Sequence, residues 1–161
     1  MKKIILGFTL FASSVFGVHL GNFQITPEIG GNIGYEDTSH TKFTYGGYTR
    51  IWLGVSRFVI APQVKYDVMY QTKSVFKNLQ VGGLLGFEVP VIPITPYIGA
   101  SWSTFYNIGL GDTAALNYGI KLDVPLIPFL TIGIDGVYQA PKAGGSRFSM
   151  NRIGVTLGLA F

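Results

Sequence analysis

The sequence predicts an all-β fold, an eight-stranded antiparallel up-and-down transmembrane β-barrel preceded by a cleavable signal peptide. Three observations carry the reading. Beyond residue 17 the chain alternates apolar and polar residues with period two and never sustains the i, i+3, i+4, i+7 spacing of a helix. Every charge inside the alternating segments falls on one face. The chain also ends on an alternating apolar strand whose last residue is Phe161.

With 161 residues, 48% apolar and only 12% charged, the composition suits one folded domain rather than a disordered chain. Past the first twenty positions no long uninterrupted apolar run occurs, so the positive mean hydropathy does not come from membrane-spanning helices. The formal charge of +4 includes Lys2 and Lys3 of the leader, and no basic run remains to hold nucleic acid. With no cysteine, disulfide scaffolds and thiolate metal sites are excluded.

Lys2 and Lys3, the apolar run Ile4 to Ala12 and the small residues before Gly17 are the charged, apolar and cleavage regions of a secretory signal. Residues 1–17 are therefore read as a signal peptide and 18–161 as the barrel domain, exported from the cytoplasm.

Turn signals place the strands at 22–36, 44–56, 59–72, 78–89, 95–106, 114–124, 130–139 and 148–161. Two connectors are nearly one sequence, Val89-Pro90-Val91-Ile92-Pro93 and Val124-Pro125-Leu126-Ile127-Pro128, which marks a hairpin repeat. Proline lacks the ladder donor, so pairing stops there and the chain reverses; Ser56-Arg57-Phe58 is a third reversal.

One parity is apolar: Phe23, Ile25, Ile29, Ile33 and Tyr35 in the first strand, Val64, Tyr66, Val68 and Tyr70 in the third. The other carries Glu28, Arg50, Lys65, Asp67, Glu88, Lys121, Asp123, Asp135 and Arg152 among glycines and small polar residues. A slip of one residue would invert every side chain, so this agreement fixes the faces. In the second strand Tyr48 and Trp52 share the charged face with Arg50, and Ile51, Leu53 and Val55 set its frame. So extensive an apolar face does not fit inside an eight-stranded barrel, whereas a glycine-rich polar face does; the expected arrangement is lipid outside and charge inside. Closure follows, because an open sheet edge in hydrocarbon leaves backbone donors unsatisfied. Phe58, Phe87, Phe129 and Phe161 near one rim, with Tyr35, Tyr70, Tyr106, Tyr118 and Tyr138 toward the other, read as interfacial girdles.

The terminal run Ile153, Val155, Leu157, Leu159 and Phe161 resembles the C-terminal signal of bacterial outer-membrane barrels. That resemblance implies the barrel-assembly machinery as a partner during biogenesis and the bacterial outer membrane as the location. Eight strands with short turns resemble the small OmpA/OmpX-like barrels in architecture, which gives no function by itself. A periplasmic N-terminus then places the Pro-x-x-Pro connectors in the periplasm and the segments near 37–43, 73–77, 107–113 and 140–147 outside.

The lumen charges are the main candidate site. Folding the first hairpin about Ser39 sets Glu28 opposite Arg50, with Arg152 at a similar level; folding the sixth and seventh strands about residue 127 sets Gly119 opposite Asp135 and Lys121 on the diagonal. The expectation is a structural network that largely plugs the lumen; the alternative is a narrow path for ions or small solutes in which Glu28, Arg50, Lys65 and Asp67 set selectivity. A soluble periplasmic ligand-binding barrel is the second alternative. No catalytic set is expected: His19 and His40 are the only histidines, and no nucleophile elbow surrounds Ser39 beside Thr41, Glu36 and Asp37. No cofactor or metal site is read from the sequence. Lys142 and Arg147, with Lys73 and Lys77, make the outer rim basic and suit contact with lipopolysaccharide phosphates, and the short outer loops suit an external ligand. The expected role is structural or surface interaction.

Overall fold

The computed structural model describes residues 18–20, 23–37, 41–71, 75–127 and 129–161; the predicted signal peptide, Ser39, His40, Lys73 and Pro128 lie outside them. In chain order the strands are β1 (Val18–Leu20), β2 (Phe23–Asp37), β3 (Thr41–Val55), β4 (Phe58–Gln71), β5 (Val75–Phe87), β6 (Ile94–Tyr106), β7 (Thr113–Asp123), β8 (Leu130–Gln139), β9 (Lys142–Ala143), β10 (Ser146–Arg147) and β11 (Met150–Ala160).

Strands β2 to β8 and β11 pair antiparallel with their chain neighbours, and β11 returns to β2, so the sheet closes. The eight expected strands are all present, with ends moved by up to three residues. The fourth starts earlier, at Val75, and stops at Phe87, because Glu88 leaves the ladder and donates its N–H to the Arg57 carbonyl across the turn end at 2.8 Å. The short β1, antiparallel to the start of β2, and the β9–β10 hairpin were not expected from the pattern.

Register defines the barrel. Following direct partners from Gln24 through Gly54, Val59, Gly86, Tyr97, Gly119, Asp135 and Gly154 returns to β2 at Gly34, ten residues beyond the start. Eight strands with that stagger tilt by about 40° from the axis, in the usual range for a small barrel. Each residue then advances about 2.5 Å along the axis.

Faces fall as the alternation requires. Ile29, Ile33, Val81, Ile98, Trp102, Ile134, Ile153 and Leu157 point outward and are more than half exposed, while Lys65 and Asp67 point inward with no exposed surface. Leaving so many large apolar side chains in water would forgo about 1.5–3 kcal/mol apiece, so the fold needs an apolar surround. Tyr48, Arg50 and Trp52 all face inward, as the frame set by Ile51 and Val55 demands.

One end of the barrel carries tight turns. Ser56 takes φ 59°, the left-handed conformation a two-residue hairpin demands. The two proline connectors are clasped by Val89 N–H to Ile94 O (3.0 Å) and Val124 N–H to Leu130 O (2.9 Å), and joined by Asp123 N–H to Pro93 O (2.9 Å). Phe58 and Phe87 meet edge-on at this rim, ring centroids 5.3 Å apart. At the loop end Tyr45 and Tyr70 stack at 5.7 Å. The Tyr118 ring packs over the bare backbone of Gly136, and its hydroxyl donates at 3.0 Å to Oδ1 of Asn151, which stands opposite Tyr138 in the register.

Candidate functional site: the charged lumen

Among the described residues, eight charged side chains are buried inside the barrel, the acids Glu28, Glu36, Asp67 and Asp135 and the bases Arg50, Lys65, Lys121 and Arg152, four of each sign. An unmatched buried charge costs several kcal/mol, so the balance is a condition for placing any of them there.

Asp135 on β8 is the hub. It accepts from the Lys65 ammonium on the opposite wall, from Arg50 Nη2 at 3.1 Å and from the Tyr97 hydroxyl at 2.7 Å. Arg50 reaches Gln63 Oε1 through Nε at 3.2 Å, and its guanidinium lies 4.2 Å from the Tyr48 ring centroid and 5.2 Å from that of Tyr97. Glu28 is held by neutral donors: Tyr48 hydroxyl at 2.8 Å, Thr131 Oγ1 at 3.0 Å and the Trp52 indole N–H.

Glycine makes the space. A Cβ at Gly30 would lie 2.5 Å from the Tyr48 ring and hydroxyl, and one at Gly158 would lie 2.6 Å from that hydroxyl and 2.7 Å from Glu28 Oε1. A Cβ at Gly119 would lie 2.5 Å from the Tyr97 hydroxyl. The inward glycines thus admit the two tyrosines that anchor Glu28 and Asp135.

Toward the loop end, Asp67 pairs with Arg152 and accepts from Asn32 Nδ2 at 2.8 Å. Glu36 stands opposite Arg152 in the register, fully buried, and neither of its carboxylate oxygens has a hydrogen-bond partner among the described residues. Above this level Met69, Phe76, Phe105 and Met150 form a buried apolar cluster, against which Ile108 and Leu110 of the 107–112 connection pack. A second cluster of Trp52, Val59, Ala61, Leu84 and Tyr97 lies toward the turn end. The charged column spans about 20 Å along the axis from Glu28 to Glu36, with the first cluster above it and the second beside its lower end, where Trp52 and Tyr97 donate to Glu28 and Asp135.

The predicted site residues fall into two groups. Glu28, Arg50, Lys65, Asp67, Lys121, Asp135 and Arg152 are inside. Glu88 and Asp123 sit at the turn-end rim instead, where Glu88 takes a bond from the Gln24 amide and the partly exposed Asp123 pairs with Lys121 at 3.0 Å. Three expected pairings differ. Glu28 and Arg50 are direct partners but not an ion pair, because nearer neutral donors satisfy the carboxylate and Asp135 takes the guanidinium. Arg152 lies near the loop end with Asp67, away from the Glu28 level. Lys121 turns to Asp123 and the Trp52 ring, 5.1 Å from its centroid, rather than to Asp135. Sequence reasoning placed Glu36 at the end of the first strand but left it out of the lumen charges, although its parity with Glu28 and Asn32 already aimed it inward.

Glu36 is buried in the lumen, while Ser39 and His40 lie outside the described residues. Among the described residues no three histidine, cysteine, aspartate or glutamate side chains gather as metal ligands.

No protein family and no curated protein matches the sequence. Solved structures do match in fold. The N-terminal β-barrel domain of Pseudomonas aeruginosa OprF aligns with TM-score 0.58 at 14% identity over 84% of this chain and 97% of that one. The outer membrane enzyme PagL aligns with TM-score 0.54 at 14% identity over 82% and 98%. Neisserial surface protein A aligns with TM-score 0.52 at 15% identity over 87% and 96%. The chain is thus a closed eight-stranded antiparallel β-barrel with the architecture of the small bacterial outer-membrane barrels. One of these neighbours is an enzyme, so the architecture leaves catalysis open.

Proposed function

We infer that the chain is an integral protein of the bacterial outer membrane, with a structural or surface-interaction role, no catalysis, and a lumen largely closed by its own side chains. The observation that carries this reading is a lumen packed with buried charge, in which Arg50 and Lys65 pair with Asp135 and Arg152 with Asp67 beneath the apolar cluster of Met69, Phe76, Phe105 and Met150. A solute path would need mobile, water-facing charges, whereas Asp135, Arg50 and Glu28 are each held by several partners.

The terminal strand supports the same location. Ile153, Val155, Leu157 and Leu159 alternate outward and lead to Phe161, whose N–H closes the seam on Pro27 O at 2.8 Å. A strand of this form is what the barrel-assembly machinery would read in the unfolded chain.

A narrow channel is the second reading, favoured by buried oxygens without a hydrogen-bond partner among the described residues at Asn32, Glu36, Thr44, Gln80 and Asn117, all in the half toward the loop end.

Cysteine labelling in intact cells tests location and orientation, since the chain has no cysteine of its own. Ser146→Cys in the β9–β10 hairpin should react with a membrane-impermeant maleimide, and Ser56→Cys in the opposite turn should react only after the outer membrane is opened. A mature chain recovered from the periplasm as a soluble monomer would contradict the reading.

A further inference from the structure

The β9–β10 hairpin holds two cations in direct opposition. Arg147 is the register partner of Lys142, and Ser146 that of Ala143, across a two-residue turn. Gly144 and Gly145 take φ 54° and φ 90°, so both central positions are left-handed, as the tightest hairpin turn requires. Directly opposed residues project from the same face with Cβ atoms about 5 Å apart, and like charges in that relation repel. Both side chains are exposed, and neither belongs to any of the four ion pairs among the described residues; Asp112, the nearest acid in the adjoining connection, pairs with neither.

The pair is also held in place. The Lys142 carbonyl accepts from Gly111 N–H at 2.9 Å, tying the hairpin to the 107–112 connection, and Pro141 O accepts from Phe148 N–H at 3.3 Å. Pro141 and Met150, at the hairpin's base, are buried. A fixed pair of unmatched cations is a receptor for a doubly charged anion: the guanidinium offers a planar fork to two oxygens and the ammonium a point charge to the third.

Its position points to the source of that anion. Lys142 stands four residues beyond Tyr138 of the outward aromatic rim, about 10 Å further along the axis and therefore at headgroup depth. We propose that Lys142 and Arg147 form a clamp for a phosphate monoester carried by a lipid of the outer leaflet. This rests on the outer-membrane reading, which puts the loop end outside.

The test uses the refolded barrel in phosphatidylcholine bilayers containing a few mole per cent of phosphatidic acid, with phosphorus NMR following the monoester and the diester as internal reference. A heat-modifiable gel shift establishes insertion first; failure to insert overturns the outer-membrane reading, whereas insertion without monoester binding overturns the clamp alone. The expected result is selective perturbation of the monoester line, with affinity lower by about fivefold for each of Lys142→Gln and Arg147→Gln and about 30-fold for both together. Arg147→Lys should lie between wild type and Arg147→Gln, since charge remains and the fork is lost. Inorganic phosphate that displaces the lipid, and is itself released by the double substitution, would assign the clamp to free phosphate. Equal affinity in wild type and double variant, or no monoester binding by the inserted wild type, overturns the proposal.

Discussion

Glu28 and Arg50 stand directly opposite each other on β2 and β3, yet each takes its partners elsewhere: the carboxylate accepts from Tyr48, Trp52 and Thr131, and the guanidinium reaches across the lumen to Asp135. Direct register opposition therefore does not decide the pairing inside this barrel: Glu28 takes diagonal neighbours on β3 and Thr131 on β8, and Arg50 combines its register partner Gln63 with Asp135 across the lumen. These contacts make the charges interdependent.

The first consequence concerns Asp135. Asp135→Asn leaves Lys65 and Arg50 buried beside a neutral amide, and the expected loss is about 3–5 kcal/mol in urea unfolding from lipid vesicles. Adding Lys65→Met to Asp135→Asn should recover part of that loss, since one stranded charge goes with its partner. A double variant no more stable than Asp135→Asn would contradict the hub.

Glu28→Gln should be milder, at about 1–3 kcal/mol, because the amide oxygen still accepts from some of the three neutral donors. Its signature is a shift in Trp52 emission, as the indole N–H loses a charged acceptor. An effect as large as that of Asp135→Asn would mean that Glu28, not Asp135, anchors the column.

The inward glycines give a steric prediction. Gly119→Ala drives a methyl against the Tyr97 hydroxyl and should cost about 1–3 kcal/mol, whereas Gly109→Ala, with nothing within 4 Å of its Cβ, should stay within about 0.5 kcal/mol of wild type. Equal melting of the two variants in vesicles would show that Tyr97 has room to move.

The apolar layer at the loop end should act as packing. Phe105→Ala removes a buried ring from the cluster with Met69, Phe76 and Met150, at an expected cost of about 3–5 kcal/mol. Ile108→Ser, on the connection above, should cost less, because Ile108 is only partly buried. Thermal unfolding of both variants checks the ranking.

Much of the wall was legible in the chain. Alternation placed Glu28, Arg50, Lys65, Asp67, Asp135 and Arg152 inside, and the hairpin arithmetic about Ser39 set Glu28 opposite Arg50, because side-chain parity and antiparallel register are local properties of the strand. The partners were not legible. Asp135 meets Lys65, 70 residues away in sequence on the opposite wall, and that contact depends on barrel radius, stagger and rotamers, none of which a strand pattern encodes. Strand ends misled in both directions: Glu88, counted among the lumen charges, lies just outside the ladder at the rim, while Glu36, left out of them at the expected end of the first strand, is buried as β2 runs on to Asp37. The opposed Lys142 and Arg147 depended on a two-residue turn at Gly144 and Gly145, a turn signal whose register the flanking four residues are too short to reveal.

Ion conductance in planar lipid bilayers tests the closed lumen most directly, with insertion verified by gel shift and with Glu28→Gln and Arg50→Gln measured alongside wild type. The account predicts no discrete conductance from inserted wild-type barrel. Stepwise currents whose size or ion selectivity changes with either substitution would contradict it and make the charged column a pore.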